Sequence, residues 1–183
     1  VAKGYLSGPL VDGKLAGSLS VFRQDSDGYH RDIVTGRDDV GGIESTVVRA
    51  KLLAKPTESM QLLLTLGYMD RWDGDTTPYA TIGGNTIARL FPGAVFAEKP
   101  YEFASSRDDF LDSTVHLASL KADFDFAAGT LSSVTAYNKT DAYYTQDGDA
   151  SNLDLLFYGL NELQKDFSQE LIFSSEKRGR FSA

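Results

Sequence analysis

The chain has no cysteine. Disulfides, thiolate metal sites and cysteine nucleophiles are therefore excluded. Histidine is scarce, with only His30 and His116 among 183 residues, so there is little with which to build a zinc site or a Ser–His–Asp triad. Apolar runs are short and fall far below the roughly 20 residues that a membrane-spanning helix needs. Bases are the minority: 18 Lys and Arg face 26 Asp and Glu, for a formal net charge of −8. A nucleic-acid partner is disfavoured, because phosphate binding needs clustered cations. Composition alone describes one acidic, soluble, globular domain.

What is present points elsewhere. Glycine is frequent at 17, and Tyr and Phe together number 20. Period-two alternation recurs, and no convincing amphipathic helix emerges. Leu15, Leu19 and Val21 share one parity, with Ser18 and Ser20 on the other. Val48, Leu52 and then Leu62, Leu64, Leu66 and Tyr68 continue one apolar face. Arg49, Lys51 and Lys55 lie on the opposite parity. From Thr114 the even positions run through His116, Leu120, Phe124 and Phe126, against Lys121, Asp123 and Asp125. The stretch from Thr130 to Tyr144 is β-rich with ambiguous parity, and Phe167, Leu171 and Phe173 alternate with Ser168, Glu170 and Ser174. Each strand thus has two different environments. A soluble sandwich and a membrane barrel both produce this pattern.

Connection lengths separate the two. Short turns at 10–14, 55–59, 127–129 and 176–179 alternate with long connections at 24–44, 72–113 and 139–166. In an up-and-down sheet, every second connection falls at the same end. Structureless loops beyond about 15 residues are uncommon in compact domains. Short turns at one end and long loops at the other are the pattern of an outer-membrane barrel. The long connections hold 19 acids and 7 bases, a net of −12, so the acidity belongs to one rim. Phe22, Tyr68, Trp72, Phe110, Tyr143 and Tyr144 sit near the long-loop ends of strands, and Phe124, Phe126 and Phe181 near the short turns. Two such bands suit the two bilayer interfaces. The chain starts at Val1 without an initiator Met and stops inside an incipient strand at Ala183. The expectation is a fragment of a larger protein.

Several strings carry a resemblance. Ser7-Gly8-Pro9-Leu10-Val11-Asp12-Gly13-Lys14-Leu15-Ala16-Gly17, Asp27-Gly28-Tyr29 and Arg49 through Glu58 resemble hairpins of TonB-dependent outer-membrane receptors. Leu131 through Tyr137 and Gln169 through Ser175 are similar to two further strands of that family. The resemblance implies an all-β fold, an antiparallel up-and-down meander of about eight long strands. It would be an open slice of a transmembrane barrel of about 22 strands. The whole chain, 1–183, would be a partial barrel domain, without the family's plug and without its C-terminal strands. The implied setting is the outer membrane of a Gram-negative bacterium. The implied function is active uptake of a scarce nutrient such as a ferric siderophore. The implied partners are outer-membrane lipid and lipopolysaccharide, the receptor's own plug, the TonB complex and a small-molecule substrate.

Charges facing lipid near the midplane cost about 2–4 kcal/mol for Arg or Lys. Arg49, Lys51, Lys121, Asp123, Asp125 and Glu170 are therefore expected to face the lumen. Leu53, Leu63, Val115 and Leu117 share that parity, either against the plug or because a bulge shifts the register. The lipid face would carry Val48, Leu52, Leu62, Leu64, Leu66, Leu120, Leu171 and Phe173, with His116 at its interface. Long-loop residues Trp72, Tyr79, Arg89, Phe91 and Tyr101, along with Phe96 and Phe103, are the candidate ligand contacts, since loops carry function and aromatic and Arg side chains dominate hot spots. Asp25-Ser26-Asp27-Gly28, Asp73-Gly74-Asp75 and Asp147-Gly148-Asp149 offer oxygens suited to calcium but lack calcium-loop spacing. They read first as turns, and no metal or cofactor is expected. An acidic rim bridged by divalent cations to lipopolysaccharide phosphates is the alternative. The competing functions are a passive porin-like channel and a soluble β-sandwich binding module. An enzyme is the weakest reading, because no acid–base pair sits in a recognisable motif.

Overall fold

The computed structural model describes residues 1–74 and 85–175. Its strands are β1 (Ala2–Val11), β2 (Leu15–Ser26), β3 (Arg31–Asp32), β4 (Ile43–Thr57), β5 (Met60–Gly74), β6 (Glu102–Phe103), β7 (Phe110–Phe126), β8 (Gly129–Asp147) and β9 (Phe157–Ser175). Seven of them form one sheet in the order β1-β2-β4-β5-β7-β8-β9, and every neighbouring pair is antiparallel. The fold is thus the expected all-β meander. The eighth long strand, expected after Gly179, lies outside the described residues.

Register settles which residues share a face, because directly opposed residues in an antiparallel pair point to the same side. One unbroken row runs Leu19, Ala50, Leu66, Ala118, Tyr137, Phe167, and the next runs Leu52, Leu64, Leu120, Thr135, Gln169. Val48, Leu62, His116, Leu171 and Phe173 lie on the same face, so the apolar parity of the sequence is continuous across the sheet. The ambiguous parity of β8 is also fixed. Its odd positions, including Leu131, Tyr137 and Tyr143, join the apolar face. Ser133 and Thr135 hide that parity because they are polar. Gln169 neutralises the defect by donating to Ser133 Oγ and accepting from Thr135, which removes most of the penalty for hydroxyls on an apolar surface.

The strands are longer than expected and the loops correspondingly shorter. Strand lengths grow from 12 residues in β2 to 19 in β8 and β9. The connection expected over 139–166 shrinks to 148–156. Its flanks pair as a hairpin that carries polar residues on both faces, so period two disappears from the sequence while the backbone ladder continues. Part of the acidic rim therefore sits on strand ends, at Asp25, Glu44, Asp73, Asp112, Asp141 and Asp147.

A single sheet cannot bury its own faces. The accessible surface is 11965 Å², against about 8,700 Å² for a globular protein of this mass. Leu6, Leu66, Phe126, Phe167 and Leu171 are exposed. The described residues contain no second layer that would make this a soluble sandwich. The buried apolar residues Val40, Ala88, Ala97, Phe103 and Ala104 all belong to the long connections. The compact packing is therefore in the loops at one end of the sheet.

At the opposite end the turns are tight. Gly129 begins β8 with φ +145°, and a Cβ there would come within 2.1 Å of the Ser174 carbonyl oxygen on β9. Both the torsion and the approach require glycine. Gly129→Ala is expected to destabilise the sheet by about 2 kcal/mol or more, read as a lower urea midpoint.

Candidate functional site

Two regions hold the predicted site residues: the charged face of the sheet and the folded loops at its end. On the sheet, Arg49 aligns with Gly67 and Leu117, and Lys51 aligns with Thr65 and Ser119. Lys121 aligns with Leu63 and Val134, and through Val134 with Glu170. Asp123 and Asp125 follow at positions 2 and 4 residues further along β7. All six charged candidates therefore occupy one face, opposite the apolar one. Lys121 Nζ lies 3.1 Å from Asp123 Oδ2. Ser132 Oγ donates to Asp123 Oδ1 at 2.6 Å, and Thr130 Oγ1 donates to Asp125 Oδ1 at 2.7 Å. Arg49, Lys51 and Glu170 make no ion pair among the described residues.

Apolar residues interrupt this charged face. Leu53 opposes Leu63, Val47 opposes Met69, and Met69 opposes Val115. Pairing runs without a break from Ile43–Asp73 to Ala54–Leu62 and through all of β5–β7. The bulge that could have turned these side chains to the other face is absent there. They are apolar groups on the charged side.

The loops form a folded cap. Its first part is a compact turn over 27–42. Asp32 is buried; its Oδ1 accepts from the Val34 amide at 2.9 Å and its Oδ2 from Thr35 Oγ1 at 2.6 Å. β3 and β6 pair in parallel, which ties this turn to the second loop. Arg37 adds a link to Asp108 at 2.8 Å. The second and third loops are joined more tightly. Asp147 Oδ2 accepts from the Ser106 amide at 2.8 Å and from the hydroxyls of Ser105 and Ser106. Asn152 Oδ1 accepts from the Val95 amide at 2.7 Å. Arg107 pairs with Asp154 at 2.5 Å and lies over the Phe157 ring, 4.7 Å from its centroid. The hydrogen bond and charge of Asp154 hold the Arg107 guanidinium above its ordinary value.

Asp149 is fully buried, and its carboxylate accepts from Ser151 Oγ and from the amides of Leu155 and Leu156. In Asp147-Gly148-Asp149 the carboxylate oxygens are thus occupied by loop donors and act as turn-formers. Asp75 of Asp73-Gly74-Asp75 lies outside the described residues.

The cap separates the candidate ligand contacts. Arg89 and Phe91 are exposed, on and just after a short 3₁₀ turn, Ile87–Leu90, whose Ala88 is buried. Tyr101 is 65% exposed and has φ +68°. Its carbonyl accepts from the Arg31 amide at 2.9 Å, which helps to hold this left-handed backbone. Trp72 lies on the apolar parity of β5, two residues beyond the Asp70 row, with its indole packed over Gly74. A Cβ on Gly74 would come within 2.3 Å of that ring. Trp72 also helps to line a pocket of about 110 Å³ beneath the cap, with Asp32, Arg37, Phe103 and Arg107. Tyr79 lies outside the described residues. No ring contact joins Trp72, Phe91 and Tyr101 among the described residues.

Sequence reasoning missed two neighbours of Tyr101. Tyr29 and His30 have ring centroids 4.3 Å apart, and Tyr101 lies 6.0 Å from Tyr29 and 6.2 Å from His30. The Tyr-His pair directly after an Asp-Gly turn was the available signal. Of the aromatic band near the long loops, Tyr68, Trp72, Phe110 and Tyr143 are on the apolar face. Phe22 and Tyr144 are on the charged face, where Phe22 lies beneath Lys3 and Tyr144 meets Tyr158. Phe181 lies outside the described residues.

A seven-stranded single sheet with tight turns at one end and a folded cap at the other has a close counterpart among solved structures. The crystal structure of the ferric yersiniabactin uptake receptor from Yersinia pestis superposes with a TM-score of 0.76 at 21% sequence identity, covering 97% of this chain and 26% of that one. The chain has the fold of a slice of a TonB-dependent receptor barrel. In sequence, this barrel slice is 40% identical over 57 residues to the pesticin receptors of Yersinia enterocolitica and Yersinia pestis. That match covers 31% of the slice and 8% of each relative. No family model matches the slice.

Proposed function

We propose that this chain is part of the wall and outer loops of a TonB-dependent outer-membrane receptor. The receptor would actively take up a scarce small molecule, of the ferric siderophore class. The observation that carries the reading is the two-faced single sheet crowned by a folded loop cap, together with its likeness in fold to an uptake receptor over nearly its whole length. Residues 1–183 are then a partial barrel domain in the outer membrane of a Gram-negative bacterium. The apolar face meets lipid. The charged face, with Arg49, Lys51, Lys121, Asp123, Asp125 and Glu170, lines the lumen, where charge avoids the cost of facing hydrocarbon. The plug of the receptor supplies partners for Arg49, Lys51 and Glu170 and covers the apolar strip at Leu53, Leu63, Val47, Met69 and Val115. TonB acts through that plug. The relatives are receptors by name, and the reading assigns no catalysis to this chain.

Tyr101, with Tyr29 beside it, and Arg89 and Phe91 on the second loop are the proposed outer contacts for substrate. The test is uptake of a labelled ferric chelate by cells expressing the intact receptor. Uptake that disappears on loss of TonB, with the receptor in the outer-membrane fraction, supports the reading. Undiminished passage without TonB identifies a passive channel, and a soluble intact protein overturns the barrel. With receptor abundance matched, Tyr101→Ala is expected to weaken ligand capture about tenfold, the scale of one exposed aromatic anchor.

A further inference from the structure

Two hollows adjoin on the charged face, at the tight-turn end of β1, β2 and β4. Side chains are short there. Ser7 opposes Ser18, and Pro9 opposes Ala16. The same two rows continue to Lys51 and Leu53 on β4, and to Thr65 and Leu63 on β5. The larger hollow, of about 490 Å³, has Lys51, Leu53 and Leu63 along one side. The smaller, of about 190 Å³, shares Pro9, Ala16 and Leu53 with it and reaches Lys14 and Lys55. The Lys55 amide donates to the Lys14 carbonyl at 2.8 Å, so these two residues are neighbours across the turn end. Lys51 lies four residues before Lys55 on β4, roughly 13 Å along the strand. No carboxylate lines either hollow. Lys14, Lys51 and Lys55 make no ion pair among the described residues, and Asp12 and Glu58 in the adjoining turns take none of them.

The other half of the same face is arranged differently. On β7 and β8 cation and acid neutralise one another: Lys121 pairs with Asp123, which also accepts from Ser132, and Asp125 accepts from Thr130. At the far end, the long connections of the cap carry a net charge of −12. Charge therefore reverses along the strands of β1, β2 and β4, from acid at the cap to unpaired cations at the turns. A recess lined by one sign of charge focuses its field and raises the local concentration of counter-ions. We infer that the paired hollows are an anion-binding site at the inner mouth of the lumen. The site takes the clustered carboxylates or phenolates of an anionic metal chelate on its way out. Lys14 and Lys55 hold the anionic groups, and Ser7 and Ser18 add hydroxyl donors. Lys51, Leu53 and Leu63 face the plug at rest, so the larger hollow opens to the chelate only when the plug moves. The smaller hollow is reachable throughout. Return towards the acidic cap is uphill for an anion. The site rests on the reading that the charged face lines the lumen of an uptake receptor. It lies at the opposite end of the strands from Tyr29 and Tyr101.

The test uses the full-length receptor in mild detergent and needs no transport. The probes are a fluorescent pyrene trisulfonate, which carries clustered anions, and its neutral sulfonamide analogue, both followed by fluorescence polarisation. Wild type is expected to bind the trisulfonate in preference to the neutral analogue. Affinity is expected to fall between about 0.1 and 1 M salt, over which the screening length shrinks from about 10 to about 3 Å. Lys14→Gln combined with Lys55→Gln is expected to weaken binding by about tenfold or more, and Lys14→Arg with Lys55→Arg to retain it. Lys121→Gln, on the neutralised half of the face, is expected to leave it unchanged. Equal binding by the glutamine double variant, or equal binding of the two probes by wild type, overturns the site. Import of a labelled anionic ferric chelate is followed in parallel at matched receptor abundance. Lost dye binding with normal surface capture and slowed import supports the site, and lost dye binding with import at the wild-type rate overturns its part in transport. Unchanged dye binding in a receptor whose import still depends on TonB defeats the site and leaves the transport reading intact.

Discussion

Leu64→Arg is expected to destabilise the proposed barrel strongly in lipid, whereas Thr65→Arg, one residue away, is expected to be tolerated. Leu64 lies between Leu52 and Leu120, midway along the apolar zone that runs from Phe124 to Tyr68 and His116. Thr65 lies between Lys51 and Ser119 on the charged face. An Arg turned to lipid at the midplane costs about 2–4 kcal/mol, equivalent to a loss of roughly 30- to 700-fold in the folded population. An Arg on the charged face keeps water within reach and costs under about 1 kcal/mol. Urea titration of each variant folded into phospholipid vesicles measures both numbers. A larger loss for Thr65→Arg than for Leu64→Arg would reverse the assignment of the two faces.

The second large effect is expected in the cap. Asp149→Ala removes one buried carboxylate that serves three donors: Ser151 Oγ, the Leu155 amide and the Leu156 amide. Each donor left unsatisfied costs about 1–3 kcal/mol, so the 148–156 loop is expected to lose about 3 kcal/mol or more of local stability. The damage should spread, because Asn152 in that loop holds the Val95 amide and Asp154 holds Arg107. Amide exchange at Leu155, Leu156 and Val95 is expected to accelerate by about 100-fold. Asp154→Asn breaks an exposed pair and is expected to cost under about 1 kcal/mol. If Val95 stays protected in Asp149→Ala, the two loops are not one unit.

The sheet was legible because a continuous apolar face imposes a strict period. Wherever one side of a strand must be apolar, as from Met60 to Tyr68 or Thr114 to Phe126, alternation reads directly and the register confirms it. Legibility fades where that demand stops. The cap-side halves of β8 and β9 carry polar residues on both faces, so Lys139–Asp147 and Phe157–Asp166 form strands with no period to announce them, and the expected loop was far too long. The polar trio Ser133, Thr135 and Gln169 blurred β8 within the apolar zone, since mutual hydrogen bonding lets polar residues occupy apolar positions. The six wall charges were identifiable by parity alone. The cap was not, because its order depends on pairings distant in sequence. Asp147 holds Ser105 and Ser106, Arg37 reaches Asp108, and β3 finds β6. Asp147-Gly148 read correctly as a turn, whereas Asp73-Gly74 lies in β5 and Asp27-Gly28 in an extended stretch; nothing local indicated that Asp149 would be buried or that Tyr101 would meet Tyr29 and His30.

The growth of the strands from 12 to 19 residues has a consequence for encounter. About 9–11 residues suffice to cross the bilayer, and the surplus lies entirely towards the cap because the turns at the other end are tight. In the proposed barrel, this surplus on the β8–β9 side would lift the loops about 20–30 Å beyond the hydrocarbon. The cap, tied across its loops by Asp147, Asn152 and Arg37, would then be a turret rather than a set of tethers. A dilute solute would meet a target that is already ordered and stands clear of the lipid headgroups. Little chain entropy would remain to be lost when it docks, and arrival would be governed by diffusion and residence by the contacts alone.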